Sequence, residues 1–171
     1  MKEITINKKY NAIRESLSRY FIVTGGRASG KSFAICLNLL LLTYEKGHVI
    51  LFTRYTMTSA EISIIPEFLS KVEMMGLSND FHITKNSIIN KVTGSKILFR
   101  GIKASSGLQT ANLKSIEGVT TWVLDEAEEL HDKDVFDTID ESVRTLGNTN
   151  RVIFILNPTT KAHWIYKHFF I

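Results

Sequence analysis

Residues 20–44 read YFIVTGGRASGKSFAICLNLLLLTY, and how that stretch divides decides the fold. Tyr20 to Thr24 is a short apolar, β-branched run halted by Gly25-Gly26, which is how a buried strand ends. Ser32 to Tyr44 is nearly all apolar with no breaker, which predicts a helix buried on most sides and stopped by Gly47. The junction, Gly25-Gly26-Arg27-Ala28-Ser29-Gly30-Lys31-Ser32, fits the phosphate-binding pattern G-x-x-x-x-G-K-S/T. Its glycines open backbone conformations closed to other residues, so successive N–H groups can turn inward and form an anion nest at a helix N-terminus. Lys31 would reach the β- and γ-phosphates of ATP as a point charge, and the Ser32 hydroxyl would be a ligand to Mg²⁺. A plain glycine turn capping a helix is the alternative, and the strand-loop-helix context argues against it.

Working outward, His48 to Thr53 (HVILFT) reads as a second strand. Thr58 to Met75 places Ile62, Ile65, Leu69, Val72 and Met75 at helical spacing, with Pro66 as a kink or restart. Between Phe81 and Arg100 the pieces FHIT, SIINKV and KILFR, separated by turn residues, predict two or three antiparallel strands, a hairpin insert around 81–100. The polar stretch Gly101 to Gly118 has neither period and reads as a working loop. Thr121 to Leu124 is a strand ending in Asp125-Glu126, Asp134 to Leu146 a helix, and Val152 to Leu156 a buried strand ending in Asn157-Pro158. Ala162 onward is helical. Apolar strands alternating with helices imply an α/β fold with a mostly parallel central sheet flanked by helices, its ligand beyond the carboxyl ends of the strands.

With 171 residues and no linker, repeat or low-complexity tract, the whole chain 1–171 reads as a single domain. One Cys, Cys36, excludes an intrachain disulfide and a Cys-based zinc site, and is read as a small core residue. The most apolar run, Phe33 to Leu42, is too short to cross a membrane and carries Asn38. The opening MKEITINKKYNAIRESL lacks the apolar stretch and cleavage site of a signal peptide. A net charge of +4 permits a nucleic-acid partner without demanding one.

Chemistry concentrates at the strand ends. Asp125 suits a nucleotide-bound Mg²⁺, and the adjacent Glu126 would polarise the water that attacks the γ-phosphate. The two acids could instead be a helix cap and solvated surface, given Glu128 and Glu129 just after. The upstream phosphate loop favours the metal and base reading. Phosphate-loop ATPases with a catalytic Glu, the ASCE type, place an extra strand between the loop strand and the acidic strand, with a γ-phosphate sensor at its tip. Asn157 takes that place, unless Asn157-Pro158 is only a turn. Arg27, within the loop, is either a solvated side chain or a finger neutralising the transferring phosphoryl. His48, His82, His131, His163 and His168 show no metal-ligand spacing. Tyr10, Arg14 or Tyr20 could stack on adenine, although packing explains them as readily. Lys103 and Lys114 could touch a phosphate backbone.

Together GGRASGKS, the Arg54-containing segment, the insert ending in ILFRGIK, LKSIEG leading into TWVLDEAEEL, and ILNPT resemble the N-terminal ATPase domain of the large terminase subunit of tailed bacteriophages, over roughly Tyr20 to Lys167. That resemblance implies a P-loop ATPase of the ASCE type that hydrolyses ATP with Mg²⁺ to drive double-stranded DNA through a portal protein into a procapsid. It implies ATP binding by Gly25 to Ser32, metal binding by Ser32 and Asp125, and catalytic roles for Glu126, Arg27 and Asn157. It further implies a small terminase subunit as partner, a ring homo-oligomer on the portal, no membrane, and location in the host cell cytoplasm. Lys114 or Arg54 would face a neighbouring subunit or DNA. The family's nuclease domain has no counterpart here, since no second carboxylate cluster follows Asn157, so cutting is not expected. Two rival readings are a helicase-like translocase and an ATP-dependent switch with negligible turnover.

Overall fold

Strands apolar on both faces must be covered on both sides, and the sequence supplies helices in alternation to do so. The computed structural model describes residues 4–26, 28–104, 106–157 and 160–171. Its elements run α1 (Ala12–Glu15), β1 (Tyr20–Thr24), α2 (Lys31–Leu42), β2 (Val49–Thr56), α3 (Met57–Ser59), α4 (Ile65–Met74), β3 (Phe81–Thr84), β4 (Ser87–Asn90), β5 (Lys96–Ala104), β6 (Gly107–Leu108), α5 (Thr110–Lys114), β7 (Thr121–Asp125), α6 (Lys133–Asp140), β8 (Arg151–Leu156) and α7 (Trp164–Phe169). They form one sheet in the order β1-β8-β7-β2-β5-β4-β3, with β6 paired to β5. From β1 through β5 every pairing is parallel, and β4 and β3 extend that edge antiparallel.

Residues alternate between two cores. Val123 and Ile153 join Ile35, Leu39, Phe52 and Phe68 under α2 and α4. Trp122, Leu124 and Phe154 join Phe136, Ile139 and Ile165 on the other face. The Trp122 indole N–H, fully buried, donates to Thr53 Oγ1 at 2.9 Å, and that hydroxyl donates to the Val123 carbonyl at 2.9 Å. Asn38, the polar residue inside α2, donates to the Ala34 carbonyl and accepts from Arg14 Nε, each at 2.9 Å. Cys36 is a core residue, and burial pushes its thiol pKa up.

Three expectations need adjustment. The third strand of the 81–100 region is not confined to a hairpin: β5 continues to Ala104 and joins the main sheet parallel to β2. The polar stretch 101–118 is accordingly not one loop, since β5 ends in it and α5 lies within it. The helix begun near Asp134 stops at Asp140 rather than Leu146, because Arg19 donates to the carbonyls of Asp140 and Val143 at 2.9 Å and Thr145 Oγ1 donates to Val119 O, also at 2.9 Å. Pro66 does restart a helix. Having no N–H and a ring that clashes with the preceding turn, it sits in the first turn of α4, just after a π-turn over Ala60–Ile64.

At Gly101 the backbone of β5 meets the start of α3 so closely that an added Cβ would lie 2.5 Å from Met57 N and 3.0 Å from Thr56 C. Both obstacles are main chain and cannot step aside. Gly101→Ala should therefore lose about 2 kcal/mol of stability through overpacking. Urea unfolding reads this as a lower midpoint at unchanged slope, and an unchanged midpoint would contradict the close approach.

Candidate functional site

The register of the parallel strands builds the site. Thr24 lies opposite Leu156, Leu124 opposite Phe154, Asp125 opposite Ile155, and Thr53 opposite Leu124. Gly25, Asn157, Asp125 and Arg54 thus arrive together at the carboxyl edge, where a parallel sheet offers its ligand crevice. β8 separates the glycine-loop strand from the acidic strand, as expected of an ATPase with a catalytic Glu.

The loop after β1 doubles back: a Cβ at Gly25 would meet Ser29 Oγ at 2.8 Å. Gly30 has φ +75°, a left-handed conformation that glycine adopts freely, and Ala28 shares that region at φ 60°. α2 begins at Lys31, which is only 9% exposed. Its ammonium donates to Gly25 O at 2.9 Å, Gly26 O at 3.2 Å and Asn157 Oδ1 at 2.9 Å, which uses all three donors. Arg27 lies outside the described residues.

Across the cleft, Asp125 is 3% exposed. A buried carboxylate needs a partner, and Arg54 is it. Arg54 Nε donates to Asp125 Oδ2 at 2.7 Å, Nη2 reaches Glu126 Oε1 at 2.9 Å, and Nη1 donates to Ser63 Oγ at 2.7 Å beside the π-turn. Glu126 adopts φ 51°, ψ 47°. For a residue with a side chain this is a costly backbone state, of the kind found at functional sites. Burial raises the pKa of both acids above the ordinary carboxylate range, and the Arg54 charge pulls each back down.

The left-handed turn at Glu126 leads into a short 3-10 segment over Ala127–Glu129 that folds Glu128 back into the cleft. Glu128 Oε1 accepts from Asn157 Nδ2 at 2.9 Å and from its backbone N at 3.3 Å. His163 Nε2 contacts the Glu128 carbonyl at 3.2 Å. The resulting cleft, about 240 Å³, is lined by Lys31, Ser32, Arg54, Asp125, Glu126 and Asn157 among others. Among the described residues no group of three or more His, Cys, Asp or Glu could hold a metal by itself. Ser32 and Asp125, both on the cleft wall, could supply the one or two protein oxygens that Mg²⁺ typically takes.

Sequence reasoning thus placed Lys31, Ser32, Asp125, Glu126 and Asn157 in one cleft, and the structure brings them together. Arg54, which the sequence left open with Lys114 as a contact to a neighbour or to DNA, turns inward onto the two acids, and Glu128, given no site role from the sequence, joins the cleft. The signal for Arg54 was available: it follows Thr53 at the end of a parallel strand, where side chains converge. Tyr20 is remote, its hydroxyl bonded to Asp140 Oδ2 at 2.8 Å at the opening of β1. Tyr10 is buried in the core, in a groove along β1 that reaches Thr24.

Comparison with known proteins adds a family. The sequence profile described as "Phage terminase large subunit" matches residues 18–171. A search of curated protein sequences finds no significant match. Among solved structures, the large terminase of a thermophilic bacteriophage superposes with TM-score 0.75 at 14% identity, covering 95% of this chain and 40% of that one, and it has also been solved in complex with ADP. This chain therefore spans about 40% of that terminase's length. The large terminase ATPase domain of Thermus phage P74-26 gives 0.67 at 20% identity, over 96% of this chain and 68% of that one. The N-terminal domain of the DNA packaging ATPase of bacteriophage phi29 gives 0.69 at 14%, over 96% and 84%.

The ion pair carries its own pH signature. Removing Arg54 strips Asp125 of its countercharge and lifts its folded-state pKa further. A carboxyl whose folded pKa exceeds its unfolded one destabilises the fold as pH rises above the unfolded value. Arg54→Ala should therefore cost about 3 kcal/mol at pH 8 and distinctly less at pH 5, read by urea unfolding at the two pH values. Equal losses would mean that the pair is not a buried charge partnership.

Proposed function

The chain belongs to the phage terminase large-subunit family, and on that footing we propose that it is the ATP-hydrolysing motor domain that drives double-stranded DNA into a procapsid. The observation that carries this reading is the single cleft in which the Lys31 ammonium and the Asp125-Glu126 pair face one another across β8.

The roles follow from chemistry. Lys31 exchanges its carbonyl partners for β- and γ-phosphate oxygens, a better match for a point charge. Ser32 and Asp125 would hold Mg²⁺, which would supply countercharge to the phosphates. Glu126 takes the proton of the attacking water. Arg54 holds the Glu126 carboxylate and restrains its raised pKa. Asn157, whose carbonyl contacts Lys31, senses the nucleotide through that contact rather than by touching phosphate, and Arg27 is the loop's candidate finger. The portal protein, the small terminase subunit, a ring of like subunits and the host cytoplasm belong to the same proposal.

A surface for the DNA accompanies it. Lys85, Arg100 and Lys103 line a groove of about 490 Å³ with Asn86, Gln109 and Asn112, against one acid, Glu61, which pairs with Lys85 at 3.3 Å. Lys103 lies 5.6 Å from the centre of the Tyr55 ring. Such a groove suits phosphate contacts without base readout, as a motor on arbitrary sequence needs.

Lys31→Ala should abolish nucleotide binding in an ADP titration. Glu126→Gln should keep the affinity while phosphate release falls by about 10² or more, and loss of binding there would refute the general-base role. For the groove, Arg100→Gln and Lys103→Gln should each weaken duplex binding regardless of sequence and flatten the salt dependence by about one unit of slope. An unchanged slope would place the DNA elsewhere.

A further inference from the structure

Asn157 carries a primary amide whose two ends are alike in shape and opposite in hydrogen bonding. The structure fixes which end faces the cleft. Its NH₂ donates to Glu128 Oε1 at 2.9 Å, its backbone N–H points at Glu128 Oε1 and Oε2 at 3.3 and 3.4 Å, and its carbonyl oxygen accepts from Lys31 Nζ at 2.9 Å. Lys31 can only donate and an ionised carboxylate can only accept, so each neighbour alone would impose the same orientation. The two differ in what nucleotide does to them. Lys31 turns to phosphate, whereas Glu128 has no reason to leave: it is set on the 3-10 turn after Glu126, and its main-chain carbonyl is engaged by His163.

We infer that Glu128 is a positioning residue for hydrolysis, holding the Asn157 carbonyl toward the cleft as an acceptor after Lys31 has moved to the triphosphate. The inference rests on the ATPase reading above and adds to it the direction in which Asn157 acts. Asn157 then meets the cleft as an acceptor for a water or ammonium proton rather than as an N–H donor to phosphate. With Glu128 gone the amide is free to turn over, and its NH₂ end binds phosphate oxygens unproductively.

Two measurements on this chain test the inference separately from the activity that it presupposes. In a double-mutant cycle of Glu128→Ala and Asn157→Ala on urea unfolding, the pair should be coupled by on the order of tenfold in the unfolding equilibrium constant. No coupling overturns the inference whether or not the protein turns over ATP. In steady-state hydrolysis, Glu128→Ala should lower kcat about tenfold or more with little change in KM. Glu128→Gln, whose carbonyl can accept both Asn157 bonds, should return most of the rate. Asn157→Asp should be poor beside Glu128, where two carboxylates would face each other, and should improve when combined with Glu128→Gln. Equal losses in Glu128→Ala and Glu128→Gln, or a wild-type kcat in Glu128→Ala, overturn it. Coupling in the unfolding cycle with no wild-type hydrolysis would instead sink the ATPase reading and leave the Glu128–Asn157 clasp standing.

Discussion

Four parallel strands stop at one level, and the chemistry of this protein depends on that alignment. Hydrogen-bonded register sets the level: once β8 is threaded between β1 and β7, the residues just past Thr24, Leu156, Leu124 and Thr53 have to share a crevice. The apolar faces of β7 and β8, buried against helices on both sides, make a slip expensive, because moving by one residue would carry every side chain to the opposite core. Packing therefore specifies the site as firmly as the polar residues themselves do.

Charge is the second constraint. Asp125 is taken out of water at the end of a wholly buried strand, and Arg54 on the adjacent strand offsets the cost while reaching Glu126 and the π-turn with its other nitrogens. Opposite, Lys31, Asn157 and Glu128 form a second chain of contacts in which donors and acceptors alternate. The two networks flank one cleft and are joined along the turn from Glu126 to Glu128. One is organised by a guanidinium on acids, the other by an ammonium on neutral oxygens, and a phosphate competes directly only with the second.

Legibility in the sequence followed the range of the interactions. The strand-loop-helix at 20–44 could be read because its signals are local: a β-branched run, glycines, then an unbroken apolar stretch. The acidic strand and the strand ending at Asn157 were visible for the same reason. The position of Arg54 near a strand end could be read, but its choice of partner could not, because that is set by the β2–β7 register, which no local pattern encodes. Glu128 went without a role because Glu126 adopts a left-handed backbone that a non-glycine residue does not advertise, and that turn brings Glu128 back inside. The shortened helix at Asp140 was hidden likewise, its end dictated by Arg19 from 121 residues away.

The contact of Gly101 with the start of α3 sets how stiffly the far side of the sheet is joined to the nucleotide side. Two main chains touch there without a side chain between them, so the joint has no rotamer to yield and little compressibility. Gly101 also pairs in register with Arg54. The strand position that pairs with Arg54 is therefore held against α3 by main chain alone, with no side chain there to give way.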